Sequence, residues 1–458
     1  MSVTELAVRI RSGELTARAA VEASLARIDE LDGALNSFIS VRGDEALAEA
    51  DALDAVEPRG PLHGVPVAVK DVIDVAGART TAASAILADH VAERDATTVA
   101  RLRAAGAVIV GKLNTHEFAF GAMTTSPHFG PARNPWDTSR ICGGSSGGSG
   151  AAAAARLVAA TLGTDTAGSI RIPAAYCGVT GLRPTTGRVS NHGVVPVSFT
   201  LDTVGPIAPS AEDCALVLDA IAGLDPLDAS TVDEPVPSYA GTLEEGIAGL
   251  RIGLVAPLVD RADPAVAESV LAAAEVLAAC GADVTEVETP LLDEAGTILQ
   301  LIMLPEASEV HLPWMRTRLE EYGPDVRIRL LTGMMLPATS TVTGRRARRW
   351  YCEALGEVLD RYDLLVAPQM LAQPPRIGED TVEVGGEQVL YRLSVIPTNS
   401  PWTLAGLPVA SVPCGFAAGL PVGLAIVGGR FAEATVLRAA HAYQQVTDWH
   451  ERRPPFEA

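Results

Sequence analysis

Residues 143–150 read GGSSGGSG, and the chain runs on without a break into AAAAARLVAATLGTDTAGSIRIP. Glycine and serine alone are typical of a flexible linker, but a linker joins units that fold separately. Here an alanine-rich apolar segment with a helical pattern follows at once. The stretch is therefore more typical of a crowded loop, in which glycines adopt backbone conformations that other residues avoid, beside small hydroxyl groups.

Two phosphate-binding loops are alternative interpretations of this stretch. A Walker loop ends in GK[ST], and GGSSGGSG contains no lysine, which excludes that loop. GSGAAA fits the GxGxxA form of the dinucleotide fingerprint, but the preceding ARNPWDTSRICG is polar and turn-forming where a strand is needed. A catalytic loop is the remaining interpretation.

A serine nucleophile needs a base to activate it. None of the eight histidines stands in a GxSxG or similar context, so a Ser-His-Asp enzyme is possible but unsupported. A neutral lysine is the other known base. The chain uses arginine almost throughout and has only two lysines, Lys70 and Lys112, and an amine, unlike a guanidinium, can lose its proton.

Composition limits the class of protein. The chain has 458 residues, 48% of them hydrophobic, and a formal net charge of −21, which argues against nucleic acid or an anionic membrane as the main partner. No apolar run is long enough to span a bilayer, and the N-terminus lacks the apolar core of a signal peptide, so we expect a cytoplasmic protein. The six cysteines show no CxxC spacing, and we expect neither disulfides nor a metal site.

Helical and extended patterns alternate along the chain and predict an α/β protein with a large sheet. VTELAVRIRSG and TARAAVEASLARIDELDG are predicted helices that end at Gly13 and Gly33. GVPVAVKDVIDV, AVIVGKL, LRIGLVAP, ADVTEVE, LLVAPQM, PVASVPCGF and PVGLAIVGG are predicted strands. No long spacer divides them, so we expect a single domain over 1–458, with a helical region at 1–60, a core at 61–210 and further strands and covering helices at 211–458.

The motifs resemble those of the amidase signature family. GGSSGGSGAAAAA, with LGTDTAGSIRIPAAYCGVTGLRPTTGR after it, is similar to the family's signature region, and GVPVAVKDVIDV resembles its lysine-bearing strand. GAVIVGKLNTHEFAFG, FGPARNPWD, LAGLPVASVP and LPVGLAIVG extend the similarity over nearly the whole chain. The resemblance implies the family fold, a large twisted mixed sheet surrounded by helices, and hydrolysis of amide bonds without a cofactor or metal.

Carried over by position, the resemblance makes Ser169 the nucleophile, Lys70 the base, and Ser145, which in the family follows a cis peptide bond, the serine between them. The implied oxyanion hole consists of the backbone N–H groups of Thr166, Ala167, Gly168 and Ser169. Asp165 and Arg171 flank the nucleophile turn and are expected to brace it by charge-assisted hydrogen bonds. Ser146 either supports the relay by hydrogen bonding or only packs beside it. Lys112 is interpreted as structural.

The inferred mechanism is a proton relay from Ser169 through Ser145 to a neutral Lys70. For this role the pKa of Lys70 has to fall from about 10.4 towards roughly 7 to 8 through burial. Valines at 67, 69 and 72 are consistent with that burial. The relay running backward would protonate the departing amine, and water would then hydrolyse the acyl-enzyme.

The motifs identify the reaction better than they identify the substrate. In one branch of the family, the A subunit of glutamyl-tRNA amidotransferase, an acidic residue shortly before the LAGLP motif binds the ammonium group of glutamine, and this chain has Ile396 there. We therefore expect a stand-alone enzyme for small neutral or apolar amides, anilides or carbamates (urethanes), with the amidotransferase component (a glutaminase) as the alternative. A catalytically dead binding protein is a further alternative, and a homodimer is possible. The expected pocket residues are Met123, Thr124, Thr125, Ile396 and Trp402.

Overall fold

The computed structural model describes residues 2–290 and 292–455. Its strands, numbered in chain order, are β1 Phe38–Val41, β2 Pro66–Lys70, β3 Val108–Leu113, β4 Thr125–Ser126, β5 Gly130–Pro131, β6 Arg133–Asn134, β7 Asp137–Ile141, β8 Ala160–Asp165, β9 Thr180–Arg183, β10 Thr203–Ala208, β11 Arg251–Val255, β12 Asp283–Val287, β13 Leu364–Pro368, β14 Thr381–Val384, β15 Glu387–Leu390, β16 Val409–Ala417 and β17 Leu420–Gly428. The seven sequence segments predicted as strands each coincide with one of them, although β16 and β17 extend one residue beyond their segments.

A mixed sheet of eleven strands forms the centre of the described part of the chain, in the order β1-β3-β2-β8-β10-β9-β16-β17-β13-β11-β12. β2 lies parallel to both β3 and β8, and β11 lies parallel to both β12 and β13. The strands from β8 through β10, β9, β16 and β17 to β13 pair antiparallel. The predicted α/β class with a large mixed sheet is confirmed.

The helices surround this sheet. They are α1 Val3–Arg11, α2 Ala17–Leu35, α3 Gly43–Asp54, α4 Thr97–Ala104, α5 Gly147–Ala154, α6 Arg171–Cys177, α7 Ala211–Ile221, α8 Ala256–Asp260, α9 Pro264–Ala279, α10 Leu292–Arg318, α11 Pro324–Met335, α12 Ala338–Leu359, α13 Tyr391–Ala405 and α14 Glu433–Gln445. None of the helices in the described residues is both long and apolar enough to cross a membrane.

The two predicted helix ends differ in outcome. α1 ends at Arg11, and Gly13 follows in the left-handed region with φ 74°. The next helix continues through Gly33, because Asn36 provides the left-handed ending instead, with φ 52° and its N–H bonded to the carbonyl oxygen of Asp32. Asparagine tolerates this conformation better than most residues.

The central strands are buried along their whole length because both sheet faces are covered. Every residue of β2, β3, β8 and β13 is buried, as expected for strands between two layers of helices. β2 ends at Lys70, and the chain of β8 leads into the loop with Ser169. The sheet thus brings the ends of two neighbouring strands, together with their polar residues, to one place.

Candidate active site

Lys70 lies at the end of β2 and is fully buried. Its Nζ is 2.7 Å from Ser145 Oγ and 2.8 Å from Thr164 Oγ1. Burial lowers the pKa of Lys70 to about 7, against the opposing effect of the Asp202 and Asp165 carboxylates. A substantial fraction of this amine is therefore neutral at neutral pH and able to accept a proton.

Ser145 is held by the backbone around it. The Gly144–Ser145 peptide bond is cis, and the carbonyl oxygen of Ser145 accepts hydrogen bonds from the His116 N–H and the Thr124 hydroxyl, each at 3.1 Å. A Cβ on Gly147 would stand 2.5 Å from Thr124 Oγ1 and 2.7 Å from its Cβ. The glycines of GGSSGG thus permit close approach of the chain, and Ser145 points at the lysine.

Ser169 lies just before α6, is 7% exposed and lines a cavity. In the loop before it, Gly168 has φ 115° and needs glycine, whereas Ala167 does not lie in the left-handed region. The Gly168 N–H donates to Asp165 Oδ1 at 2.8 Å. This N–H is thus engaged in the structure, whereas the oxyanion role expected of Thr166, Ala167, Gly168 and Ser169 stays a prediction.

Asp165 braces the loop through two arginines. Arg171 forms a two-pronged contact with its carboxylate, at 2.9 and 3.0 Å, and Arg183 Nη1 lies 3.0 Å from Oδ1. All three side chains are fully buried. Burial alone would raise the pKa of Asp165, but the two guanidinium groups hold it below its usual range. Asp165 and Arg171 thus stabilise the loop without lining the cavity.

Ser146 lies against β8. Its hydroxyl donates to the carbonyl oxygen of Thr164 at 3.2 Å and accepts from the Thr164 N–H at 3.3 Å. Because Thr164 also contacts Lys70, Ser146 helps to fix the strand that carries the lysine's second partner.

The cavity in front of Ser169 has a volume of about 500 Å³. Two of the five expected pocket residues, Met123 and Ile396, line it. Thr124 and Thr125 lie outside the lining because the Thr124 hydroxyl is turned to the Ser145 backbone and Thr125 belongs to β4. Trp402 is fully buried in the hydrophobic core.

Four residues of the cavity wall with charged or amide side chains were not expected from the sequence. They are Gln300, Arg329, Asp380 and Arg392. Arg329 lies on α11, where it forms an ion pair with Asp325 at 3.0 Å and donates to the carbonyl oxygen of Phe120. All four come from segments remote from the signature region, and no motif marks them.

Lys112 forms buried polar contacts that stabilise the fold. It is fully buried on β3, and its Nζ lies 2.8 Å from Asp71 Oδ1 and 2.9 Å from Thr80 Oγ1. It is not among the residues that line the cavity.

Replacing Lys112 with methionine is expected to lower the free energy of unfolding by about 3–5 kcal/mol, because it leaves the buried Asp71 carboxylate without its cation. Denaturant unfolding of the variant measures this loss. The folded variant is expected to keep its turnover number, since Lys112 is not among the residues that line the cavity. A loss below about 1 kcal/mol would contradict the structural role, because exposed ion pairs contribute that much at most.

The chain matches known proteins over most of its length. The family model described as Amidase matches residues 19–437. The A subunit of glutamyl-tRNA(Gln) amidotransferase from Chromohalobacter salexigens is 41% identical and covers 99% of this chain and 98% of its own.

Solved structures extend the similarity. One, from a vestigial protein complex that bears on the origins of an s-triazine catabolic enzyme, is 38% identical, covers 97% of this chain and 98% of its own, and superposes with a TM-score of 0.93. The 6-aminohexanoate cyclic dimer hydrolase is 29% identical over 99% of this chain and 98% of its own, with a TM-score of 0.91. On its motifs, its sheet and these matches, the chain belongs to the amidase signature family.

Proposed function

We propose that the protein hydrolyses a small amide through an acyl-enzyme on Ser169. The observation that carries this proposal is the buried Lys70 amine, 2.7 Å from Ser145 Oγ, behind a nucleophile that lines the cavity. A buried amine with a pKa of about 7 is suited to general base catalysis near neutral pH.

In the proposed reaction the neutral Lys70 amine accepts the proton of Ser145, and Ser145 accepts the proton of Ser169. The Ser169 oxygen then attacks the substrate carbonyl, and the tetrahedral oxyanion is stabilised by the N–H groups of Thr166, Ala167 and Ser169. The protons return by the same path to the departing amine as the C–N bond breaks. Water, activated by the same relay, hydrolyses the ester to Ser169 and restores the free enzyme.

The apolar wall of the cavity supports a small, uncharged substrate. Its wall is largely apolar near Ser169, with Ile172, Leu299 and Ile396 among its residues, and such a wall favours an uncharged amide, anilide or carbamate. Carbamates and anilides fit the same chemistry because each offers a carbonyl and a leaving group that the relay can protonate. An uncharged small amide is thus the first candidate substrate.

A substrate panel tests this candidate. The values of kcat/KM are compared for hexanamide, a nitroanilide, an aryl carbamate and glutamine, each with the wild-type protein and with Ser169→Ala as the blank. Preference for an uncharged compound supports the first candidate. Turnover of glutamine alone contradicts it.

An ammonia-producing component of an amidotransferase is the second candidate, and the relatives favour it more directly. The amidotransferase relative from Chromohalobacter salexigens is 41% identical over nearly the full chain. The cavity also holds charges of both signs, on Arg329, Arg392 and Asp380, which could meet the carboxylate and ammonium groups of glutamine. Ile396, at the place of that branch's acidic residue, is the feature that argues against it.

Purification separates the two candidates. A stand-alone hydrolase is expected to be active alone, as a monomer or a homodimer, whereas an amidotransferase component is expected to form a stable complex and to show glutaminase activity. Co-expression with the other subunits of a relative's amidotransferase, followed by size exclusion and a glutaminase assay, measures both properties. A lone chain that cleaves hexanamide faster than glutamine rules out the second candidate.

A further inference from the structure

Asp202 is a buried carboxylate that the relay does not use. It directly precedes β10 and is 5% exposed. Its Oδ1 accepts the Thr166 hydroxyl at 2.5 Å, and its Oδ2 accepts the N–H groups of Val197 at 2.8 Å and Ser198 at 3.0 Å. Because Thr166 and Val197 both line the cavity, Asp202 joins two parts of its wall.

The two carboxylates that act on Lys70 have different surroundings. Asp165 is in direct contact with the guanidinium groups of Arg171 and Arg183, so much of its charge is neutralised locally. Asp202 forms no ion pair within 4.0 Å in residues 2–290 and 292–455, and its side-chain partners are neutral hydroxyl and N–H groups. Its charge therefore reaches Lys70 with less compensation.

We propose that Asp202 is a positioning residue that sets the pH range of the relay by stabilising the protonated form of Lys70 while it holds Thr166 beside Ser169. The inference rests on the proposed relay.

The charges around the pair are consistent with this role. Asp202 directly precedes Thr203, which pairs with Asp165 across β10 and β8, and Lys70 Nζ contacts the neighbouring Thr164 of β8 at 2.8 Å. The negative charges of Asp202 and, less strongly, Asp165 therefore favour a higher pKa of Lys70. Burial raises the pKa of Asp202 to about 6, although its hydrogen bonds from Thr166, Ser198 and Val197 and the charge of Lys70 oppose that rise. The carboxylate is thus mostly ionised at the pH where Lys70 loses its proton.

The sign of the effect follows from these charges. A negative charge near an ammonium group favours the protonated form, so its removal lets the proton leave at lower pH. Asp202→Asn keeps an oxygen for the Thr166 hydroxyl and removes the charge. The acid limb of the pH profile is then expected to move down by about half a unit. Because part of Asp202 is already protonated in the wild type, the rate at pH 6.5, relative to each protein's own plateau, is expected to rise about 1.5-fold.

The experiment measures the rate at which a fluorophosphonate labels Ser169 as a function of pH, so it does not depend on the identity of the amide. Glu306→Gln is the matched control. Glu306 is 4% exposed and holds the same segment through Ser198 and Thr200, but it is not among the charges that act on Lys70. Its acid limb is expected to stay in place, and Asp202→Glu is expected to restore the wild-type limb.

Two outcomes would overturn the proposal: an unmoved acid limb in folded Asp202→Asn, or equal shifts in the Asp202 and Glu306 variants. If Asp202→Asn does not fold, the test is an NMR titration of the wild-type protein labelled with ¹³C at lysine Cε. The Lys70 signal should then show two inflections, one for each group, and a single inflection contradicts the proposal. If Ser169 is labelled as expected but no amide is cleaved, the proposed function fails and the role of Asp202 stands.

Discussion

Turnover is expected to disappear in Ser169→Ala, by a factor on the order of 10⁶, since a nucleophile that forms the covalent intermediate has no substitute in the site. Ser169 lines the cavity and lies just before α6. Steady-state turnover of the best substrate in the panel measures the loss. Mass spectrometry is expected to find the fluorophosphonate on the peptide that contains Ser169.

Ser149→Ala is the matched control for this variant. Ser149 lies on α5, is fully buried and donates to the carbonyl oxygen of Leu162 at 3.2 Å, away from the cavity lining. It is expected to keep most of the wild-type rate and its fluorophosphonate labelling. Normal turnover in Ser169→Ala, or a label on another serine, would exclude the proposed acyl-enzyme.

Replacing Lys70 with alanine is expected to lower kcat/KM by about 10²–10⁴-fold, the usual contribution of a general base. The reason is that Lys70 Nζ lies 2.7 Å from Ser145 Oγ. No other basic side chain in the described residues forms a hydrogen bond with this hydroxyl. Measurement of kcat/KM across pH 6–9 tests this loss, and near-normal activity in Lys70→Ala would rule out the relay.

Lys70→Arg separates the base from the charge. Arginine keeps a cation at this place but does not lose its proton in proteins. A base at position 70 therefore predicts that Lys70→Arg is about as inactive as Lys70→Ala. Substantial recovery by arginine would mean that position 70 acts through its positive charge, and it would contradict proton transfer to Lys70.

The sequence predicted the sheet well because its central strands are buried on both faces. Continuous apolar runs such as LLVAPQM and PVGLAIVGG stand out in such strands, and they correspond to β13 and β17. The region from α10 to α12 gave no comparable signal, because proline lies inside α10 at positions 305 and 313 and because its exposed faces are mixed in polarity. α13 likewise contains Pro397 and Pro401, and proline inside a helix obscures its pattern in the sequence.

The candidate site likewise has a part that the sequence predicts and a part that it does not. Lys70, Ser145 and Ser169 stand in motifs whose order the family resemblance interprets, and the structure brings Lys70 to Ser145. The pocket wall depends on how remote helices pack against the signature region. Arg329 and Arg392 reach it from α11 and α13, and no local pattern distinguishes them from other surface arginines.

Asp202 illustrates what neither motif nor pattern reveals. In sequence it is one aspartate in FTLDTVGP. Its role depends on its burial and on neutral partners supplied by Thr166, Val197 and Ser198, which the folded chain alone brings together.

NMR titration of the lysines tests directly whether Lys70 is a base poised near neutral pH. The chain has only two lysines, so protein labelled with ¹³C at lysine Cε gives two NMR signals, and Lys70→Arg identifies the one from Lys70. We expect the Lys70 signal to titrate with its main midpoint near pH 7. A midpoint near pH 10, the value of an ordinary lysine at about 10.4, would contradict it.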